Sequence, residues 1–362
     1  MECSATTLKE DETLEKKIKV AVIGAGAIAR TVHVPNYLSN EHVSVSAIVD
    51  NDQKRAERVA RKFHIKKAYS SCDELFDREE IDAISICTPP DTHEEIALKA
   101  FEHGSHILCE KPLATTVESG KKMVEASKSK KRILMVGFHR RFSPNYQMAK
   151  KYILEGRLGH VYCVEDRFIE PHPLFGWAKS QWYIEPGIGG VVNDLAPHVF
   201  DMLNYIFDDF PEAVSACGSV HLDSPVEECT TFLAEYPRGR LGVGVISWLS
   251  PTVDEHLSVF GTGQNLFVSP RYFFKASPTE VFEVSLWRAA TESLVSMKFP
   301  NLSWIRGKRV DPYQLEIAYF IDRIRKCQHS SASALNALSV LIACDATKKA
   351  LESKERMKIP PP

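Results

Sequence analysis

A chain of 362 residues is longer than one hydrophobic core ordinarily supports, so two domains are expected. Hydrophobic residues make up 44% and charged residues 25%, the balance of a folded globular protein rather than a disordered or membrane-embedded one. The formal net charge of -2 excludes the broad basic surface that nucleic acid binding requires.

The first seventeen residues, MECSATTLKEDETLEKK, hold no apolar segment of a secretory signal and are expected to form a mobile tail. No apolar run reaches the roughly 18 to 20 residues that span a bilayer, so no membrane partner is expected. The cysteines (Cys3, Cys72, Cys87, Cys109, Cys163, Cys217, Cys229, Cys327 and Cys344) are scattered, odd in number and without a C-x-x-C pair. They read as reduced thiols of a cytoplasmic protein, with neither a disulfide framework nor a metal site.

From residue 18 the chain repeats one unit: a short run rich in Val and Ile, a turn, then a segment with helical spacing. The runs are KVAVIG (19 to 24), VSVSAIV (43 to 49), AISICT (83 to 88), HILC (106 to 109) and ILMVGF (133 to 138). Helices are expected near 27 to 38, 52 to 63, 92 to 103 and 116 to 129, with the basic run from Lys128 to Arg132 as a solvated helix end. Continuous apolar strands separated by helices predict a parallel sheet covered on both faces, hence a doubly wound α/β domain over 18 to 140.

GAGAIA follows the first strand directly and sets Gly24, Gly26 and Ala29 in the pattern G-x-G-x-x-G/A. The first glycine permits a tight turn, the second lets a pyrophosphate approach, and the small third residue lets helix and strand pack closely. Amides at the helix start, those of Ala27 and Ile28, would face the phosphates. Asp50 ends the second strand, where a carboxylate accepts both ribose hydroxyls of NAD and repels the 2′-phosphate of NADP. NAD is therefore the expected cofactor and NADP the less favoured one, with Lys54 and Arg55 close by.

Ligands of such sheets bind beyond the carboxyl ends of the strands. Those ends carry Thr88-Pro89-Pro90 with His93, then Glu110-Lys111-Pro112, then His139-Arg140-Arg141. Beyond residue 150 the pattern changes. The segment 185 to 207, EPGIGGVVNDLAPHVFDMLNYIF, joins a glycine turn to an amphipathic helix on which Asp194 and His198, four apart, share a face. If Asn193 caps that helix, Pro197 falls in its first turn, where proline is tolerated. Strands are expected at 228 to 236, 240 to 249, 256 to 263 and 280 to 287, joined by turns, with closing helices near 312 to 326 and 334 to 353. They make residues 141 to 362 an α+β domain with a mainly antiparallel open sheet.

GAGAIA, CTPPDTHEEIA, CEKP, GFHRRFSPNY and GGVVNDLAPH, in this order, resemble the family of glucose-fructose oxidoreductase, inositol dehydrogenase and rhizopine-catabolism proteins (Gfo/Idh/MocA). The likeness runs from about residue 18 to about 357. It implies an NAD-dependent oxidoreductase acting on a secondary hydroxyl of a cyclic polyol, sugar or sugar derivative. Lys111 would reach the nicotinamide and the substrate hydroxyl, with Pro112 after a cis bond, and would stabilise a developing alkoxide. Nearby NAD+ would tend to lower its pKa. His198 would serve as general base, since imidazole titrates near neutrality, while Asp194 bonds the substrate or orients the pair.

By the same resemblance His139 and Arg140 line the sugar site, and Arg140, Thr88, Pro89 and His93 touch the cofactor. Glu110 is left between cofactor contact and structural pairing. Members like glucose-fructose oxidoreductase often carry tyrosine where this chain has His198, which weakens the sugar-disproportionating reading. Two other functions fit the scaffold: an NAD-dependent glycosidase, and a non-catalytic NAD-binding sensor. A homodimer or homotetramer formed on the open sheet is implied. Phe175, Trp177, Trp182 and Tyr183 could stack on a sugar or pack between subunits.

Overall fold

The computed structural model describes residues 17 to 173, 181 to 270, 273 to 276, 281 to 285, 311 to 328 and 332 to 362. Apart from Lys17 the expected tail lies outside them, as do Phe175 and Trp177. No helix among the described residues is long and apolar enough to cross a membrane.

The first sheet is parallel throughout, with six strands: β1 (Ile18–Ile23), β2 (Val43–Val49), β3 (Lys67–Tyr69), β4 (Ala83–Ile86), β5 (His106–Cys109) and β6 (Leu134–Val136). Their order is β3-β2-β1-β4-β5-β6, so the winding reverses between β1 and β4. β4 and β5 are buried along their whole length, as strands covered on both faces must be. The expected α/β doubly wound class is borne out. One strand more is present than the apolar runs predicted: β3 is three residues long, and it leads into an equally unforeseen helix, α3 (Cys72–Arg78).

The remaining crossovers run close to expectation. The helix expected from residue 27 begins as a π turn at Ala29–His33 and becomes α1 (Val34–Leu38). The others are α2 (Gln53–Lys62), α4 (His93–Glu102) and α5 (Val117–Ser129). α2 is capped by Asp52, whose carboxylate accepts from Arg55 N.

After α6 (Pro144–Leu154) comes β7 (Val161–Pro171), which the sequence reading passed over. It is central in a second sheet ordered β14-β13-β12-β11-β7-β10-β9-β8-β15. The partners are β8 (Ala213–Ser219), β9 (Cys229–Tyr236), β10 (Arg240–Ser247), β11 (Leu249–Gly261), β12 (Asn265–Val268), β13 (Phe273–Ala276), β14 (Val281–Ser285) and β15 (Met357–Lys358). Pairing is antiparallel except between β7 and β10.

The segment 185 to 207 holds two helices, α7 (Val191–Asp194) and α8 (Ala196–Phe207), which meet at Leu195. Asp194 and His198 therefore do not share one helix, and Pro197 sits in the first turn of α8. The chain closes with α9 (Pro312–Arg325) and α10 (Ala332–Ser353).

Packing does not follow the boundary expected at residue 140. Ile317, Phe320 and Ile321 of α9 join Ile18, Val20, Val22, Tyr37 and Ile48 in one core, so α9 covers a face of the first sheet. Burying those three side chains is worth about 1.5 to 3 kcal/mol each. The other core runs from the opposite face of that sheet through α5 and α10 to α8 and the inner face of the second sheet.

Candidate active site

A cavity of about 1380 Å³ opens beyond the carboxyl ends of the first sheet and is closed on the far side by α7, α8, β7 and β11. Its floor begins at the glycine turn. Gly24 has φ +94°, and a Cβ there would stand 2.7 Å from the Cys87 carbonyl oxygen, so only glycine fits. A Cβ on Gly26 would meet nothing within 4 Å, which leaves the approach to the backbone open. Ala27, Ile28, Thr88 and Pro89 line the same floor. These residues fit a dinucleotide: a cradle without side chains at a switch point, in a cleft larger than most small-molecule pockets.

Asp50 also lines the cleft, but its carboxylate is occupied. Oδ2 accepts from Ala25 N at 2.8 Å and Arg55 Nε at 2.9 Å, and Oδ1 from Asp52 N at 2.8 Å and Arg55 Nη2 at 2.6 Å. Burial pushes its pKa up, yet Arg55 and the two amides outweigh it and hold the group below the usual carboxylate range.

His93 is a correction. It is buried outside the cleft, with Nε2 3.0 Å from the Thr88 carbonyl oxygen and Nδ1 3.0 Å from that of Pro112. It bonds two loops that line the cleft and is not itself among the lining residues.

The Lys111–Pro112 peptide is cis. Lys111 Nζ donates to Asp194 Oδ1 at 2.5 Å and to the Asp194 carbonyl at 3.0 Å. Trp248 Nε1 donates to Asp194 Oδ2 at 3.1 Å. Burial pulls the Lys111 pKa down, but the Asp194 charge and hydrogen bond raise it, so the side chain is an ammonium ion. Glu110 faces the cleft and pairs beneath it with His33, Oε1 to Nε2 at 2.7 Å. His33 Nδ1 meets Ser85 Oγ at 3.0 Å, and Ser85 Oγ meets Tyr37 OH at 2.7 Å, a string running back under the sheet. Despite burial, His33 and Lys111 keep the Glu110 carboxyl ionised below its ordinary range.

His198 and His139 line the cleft as an edge-to-face pair with centroids 5.2 Å apart. Among the described residues neither buried Nδ1 has a hydrogen-bond partner, which leaves Nε2 of each ring for the cleft. Burial lowers both pKa values, to about 4 for His139 and well below the ordinary value for His198, so both rings are neutral. Asp194 bonds Lys111 and Trp248 rather than His198.

Arg140 is the second correction. It is 2% exposed, bidentate on Asp166 at 2.8 Å for both bonds, and its Nε donates to Glu255 at 2.6 Å. It does not line the cleft. Its ion pair holds β7 and β11 behind His198.

The structure adds residues that sequence reasoning missed. Tyr313 of α9 stacks on His139, with centroids 4.0 Å apart. Glu170, at the end of β7, faces the cleft with its carboxyl pushed up to about 7 by burial and by the Asp194 charge, partly offset by Lys111. Glu255 of β11 lines the same end. Tyr313 and Glu170 belonged to segments whose docking no local pattern announces. Trp182 and Tyr183 line the cleft and stack on each other, with ring centroids 3.9 Å apart.

A parallel sheet that offers a phosphate cradle, facing a lysine held as a cation beside two neutral imidazoles, is the architecture of a nucleotide-dependent oxidoreductase. Comparison with known proteins carries this to a family. Residues 18 to 138 match the profile described as an oxidoreductase family with an NAD-binding Rossmann fold, and residues 146 to 266 match the GFO/IDH/MocA C-terminal domain. An uncharacterised oxidoreductase of Schizosaccharomyces pombe is 34% identical over 257 residues, 68% of each chain. Myo-inositol 2-dehydrogenase of Thermotoga maritima is 27% identical over 350 residues, 94% of this chain and 98% of that one. Levoglucosan dehydrogenase, solved with NADH and levoglucosan, superposes with a TM-score of 0.83 at 23% identity, over 95% of this chain and all of that one (100%). The chain belongs to the GFO/IDH/MocA family of oxidoreductases.

Proposed function

We propose that this protein is an NAD-dependent dehydrogenase acting on a secondary hydroxyl of a cyclic polyol, sugar or sugar derivative, with Lys111, Asp194 and His198 as its catalytic residues. The observation that carries the reading is the Lys111 ammonium, held on Asp194 in the cavity that also contains the glycine turn. The names of relatives that act on inositol and levoglucosan support the substrate class.

NAD, when bound, supplies the acceptor for the hydride that leaves the carbinol carbon. The chain's own residues manage the oxygen. Lys111, fixed by two bonds to Asp194, meets the charge that develops on the substrate oxygen. His198 takes the hydroxyl proton at Nε2; burial and the Lys111 charge lower its pKa, so it is unprotonated before the reaction and a weaker base than a free imidazole. Asp194 fixes the ammonium and is itself fixed by Trp248. His139, Tyr313 and Glu170 border the same end and supply one edge, one ring face and one carboxyl for the remaining hydroxyls.

We further propose that copies of the chain pair through the outer face of the second sheet. α8 and α10 cover the inner face, and the outer one leaves Leu233 at 40% and Leu241 at 38% exposed.

Absorbance at the NADH band, read with NAD and a panel of inositols, aldoses, anhydrosugars and sugar acids, tests the main reading. Growth of signal with one polyol class is expected. Silence across the panel combined with cleavage of a chromogenic glycoside would replace it with an NAD-dependent glycosidase, and silence in both would leave a sensor.

A further inference from the structure

The charged groups at the Lys111 end of the cleft are not evenly matched. The Lys111 ammonium is taken by Asp194, and the Arg140 guanidinium behind the wall is shared by Asp166 and Glu255. Glu170 has no such partner. Its carboxyl lines the cleft at the end of β7, and none of the described residues donates a hydrogen bond to it. Burial and the charges of Asp194 and Glu255 oppose its ionisation, and Lys111, already committed, eases this only in part.

The same end holds a second unmet group. His198 is 5% exposed and lines the cleft, and among the described residues neither of its ring nitrogens has a hydrogen-bond partner. Polar groups left unbonded in a protein interior are costly, which points to a ligand that meets both. The two ask for different chemistry. A neutral imidazole nitrogen suits a hydroxyl, whereas a carboxyl set among like charges is relieved by a cation. Tyr183, which feels the Asp194 and Glu170 charges, stacks on Trp182 beside it, and aromatic faces attract a cation as well.

We propose that the substrate is a cationic member of the polyol class, an amino sugar or an amino-substituted cyclitol, whose ammonium docks on Glu170 in place of one of the remaining hydroxyls. An ammonium on a carboxylate makes a charge-assisted bond, roughly twice as strong as one between neutral groups. Sugar acids and sugar phosphates are turned away, because their charge would be set against Glu170, Asp194 and Glu255. The amine is a handle and stays intact: the hydride and the hydroxyl proton leave a carbinol of the same ring, as in the dehydrogenase reading on which the proposal rests.

Isothermal titration of the NADH-loaded full chain at pH 7 tests it without turnover. The probes are glucosamine, glucose, N-acetylglucosamine and glucuronate, together with an amino-substituted inositol and its parent inositol. At least one amine should bind about tenfold or more tighter than its parent hydroxyl compound. Acetylation of the amine, which removes the charge, should abolish that advantage, and glucuronate should bind most weakly. Glu170→Gln, with its fold checked by thermal melting, should reduce the ratio of amine to parent affinity by about tenfold. Turnover of the same compounds, followed at the NADH band with NAD, should rank them in the same order.

Parent polyols that bind and are oxidised as well as their amines would overturn the proposal and leave the dehydrogenase reading standing. So would a folded Glu170→Gln variant that keeps the full preference for the amine, or an N-acetylated compound that binds as tightly as the free amine. Amines preferred tenfold but never oxidised would uphold the subsite and count against the dehydrogenase reading. Binding of none of these compounds would overturn both.

Discussion

Lys111 and Asp194 stand 83 positions apart in the chain and are bonded twice, ammonium to carboxylate at 2.5 Å and ammonium to backbone carbonyl at 3.0 Å. This pair joins the loop after β5 to α7, and with it the nucleotide-binding half of the cleft to the half that faces it. A charge buried in this way is costly unless it is paired or used, and here it is paired by Asp194 and left within reach of the cleft.

Replacing that ammonium separates catalysis from binding. Lys111→Ala should lower kcat by about a hundredfold to a thousandfold or more, the scale seen when a single stabilising donor is removed. The NAD Kd, measured by fluorescence quenching, should stay within a few-fold. A variant that keeps most of its turnover would take Lys111 out of the mechanism.

The two glycines of the turn should fail differently. Gly24→Ala forces a Cβ against the Cys87 carbonyl at positive φ, so it should lower the melting temperature and the yield of folded protein. Gly26→Ala meets open space. It should melt like the parent protein and bind NAD at least tenfold more weakly, because its methyl occupies the approach of the pyrophosphate. Calorimetry and titration on the same two variants check both halves.

Arg140 is expected to act on stability. Arg140→Ala leaves Asp166, which is fully buried at 0% exposure, and Glu255 without their cation. Removing one partner of a buried ion pair costs about 3 to 5 kcal/mol. Thermal unfolding should shift down by roughly 10 °C. An Arg140→Ala protein that melts normally and loses only substrate affinity would restore Arg140 to the sugar site.

Glu170 gives a pH-dependent prediction whose sign follows from its raised pKa of about 7 against an ordinary 4.5. Between those values the folded protein holds a proton that the unfolded chain has released, so this group's contribution to stability falls as pH rises through that window. Glu170→Gln removes the cost. The variant should be more stable than the parent at pH 8 by about 2 kcal/mol, allowing for solvent screening, and nearly equal to it near pH 4.5. Equal melting temperatures at both pH values would mean that burial does not raise this carboxyl.

Local chemistry carries far in this chain where one side chain's requirement dominates. Runs of Val and Ile with no polar interruption have to be strands buried on both faces, and the glycine turn after β1 has one physical use. Glu110-Lys111-Pro112 and His139 could be marked as site candidates because the carboxyl ends of a parallel sheet converge on one rim. β7 carries no such signal. Its inward positions read Val164, Asp166 and Phe168, and the aspartate breaks the apolar alternation because its partner is a buried arginine rather than water.

The doubly wound sheet, the place of the glycine turn and the charged residues that end the strands were legible in the chain alone, because each follows from periodicity or from the sterics of one residue. What those charges do emerges from packing. Arg140 faces Asp166 and Glu255, 26 and 115 positions away, His93 bonds two loop carbonyls, Arg55 covers Asp50, and α9 brings Tyr313 onto His139. The role of an ionisable group is set by the charges and dipoles within a few ångströms of it, and the solvent excluded around it. For Arg140 and His139 those neighbours come from segments distant along the chain that meet only when the two halves pack, and even for Asp50, five positions from Arg55, the pairing depends on how strand and helix are set against each other.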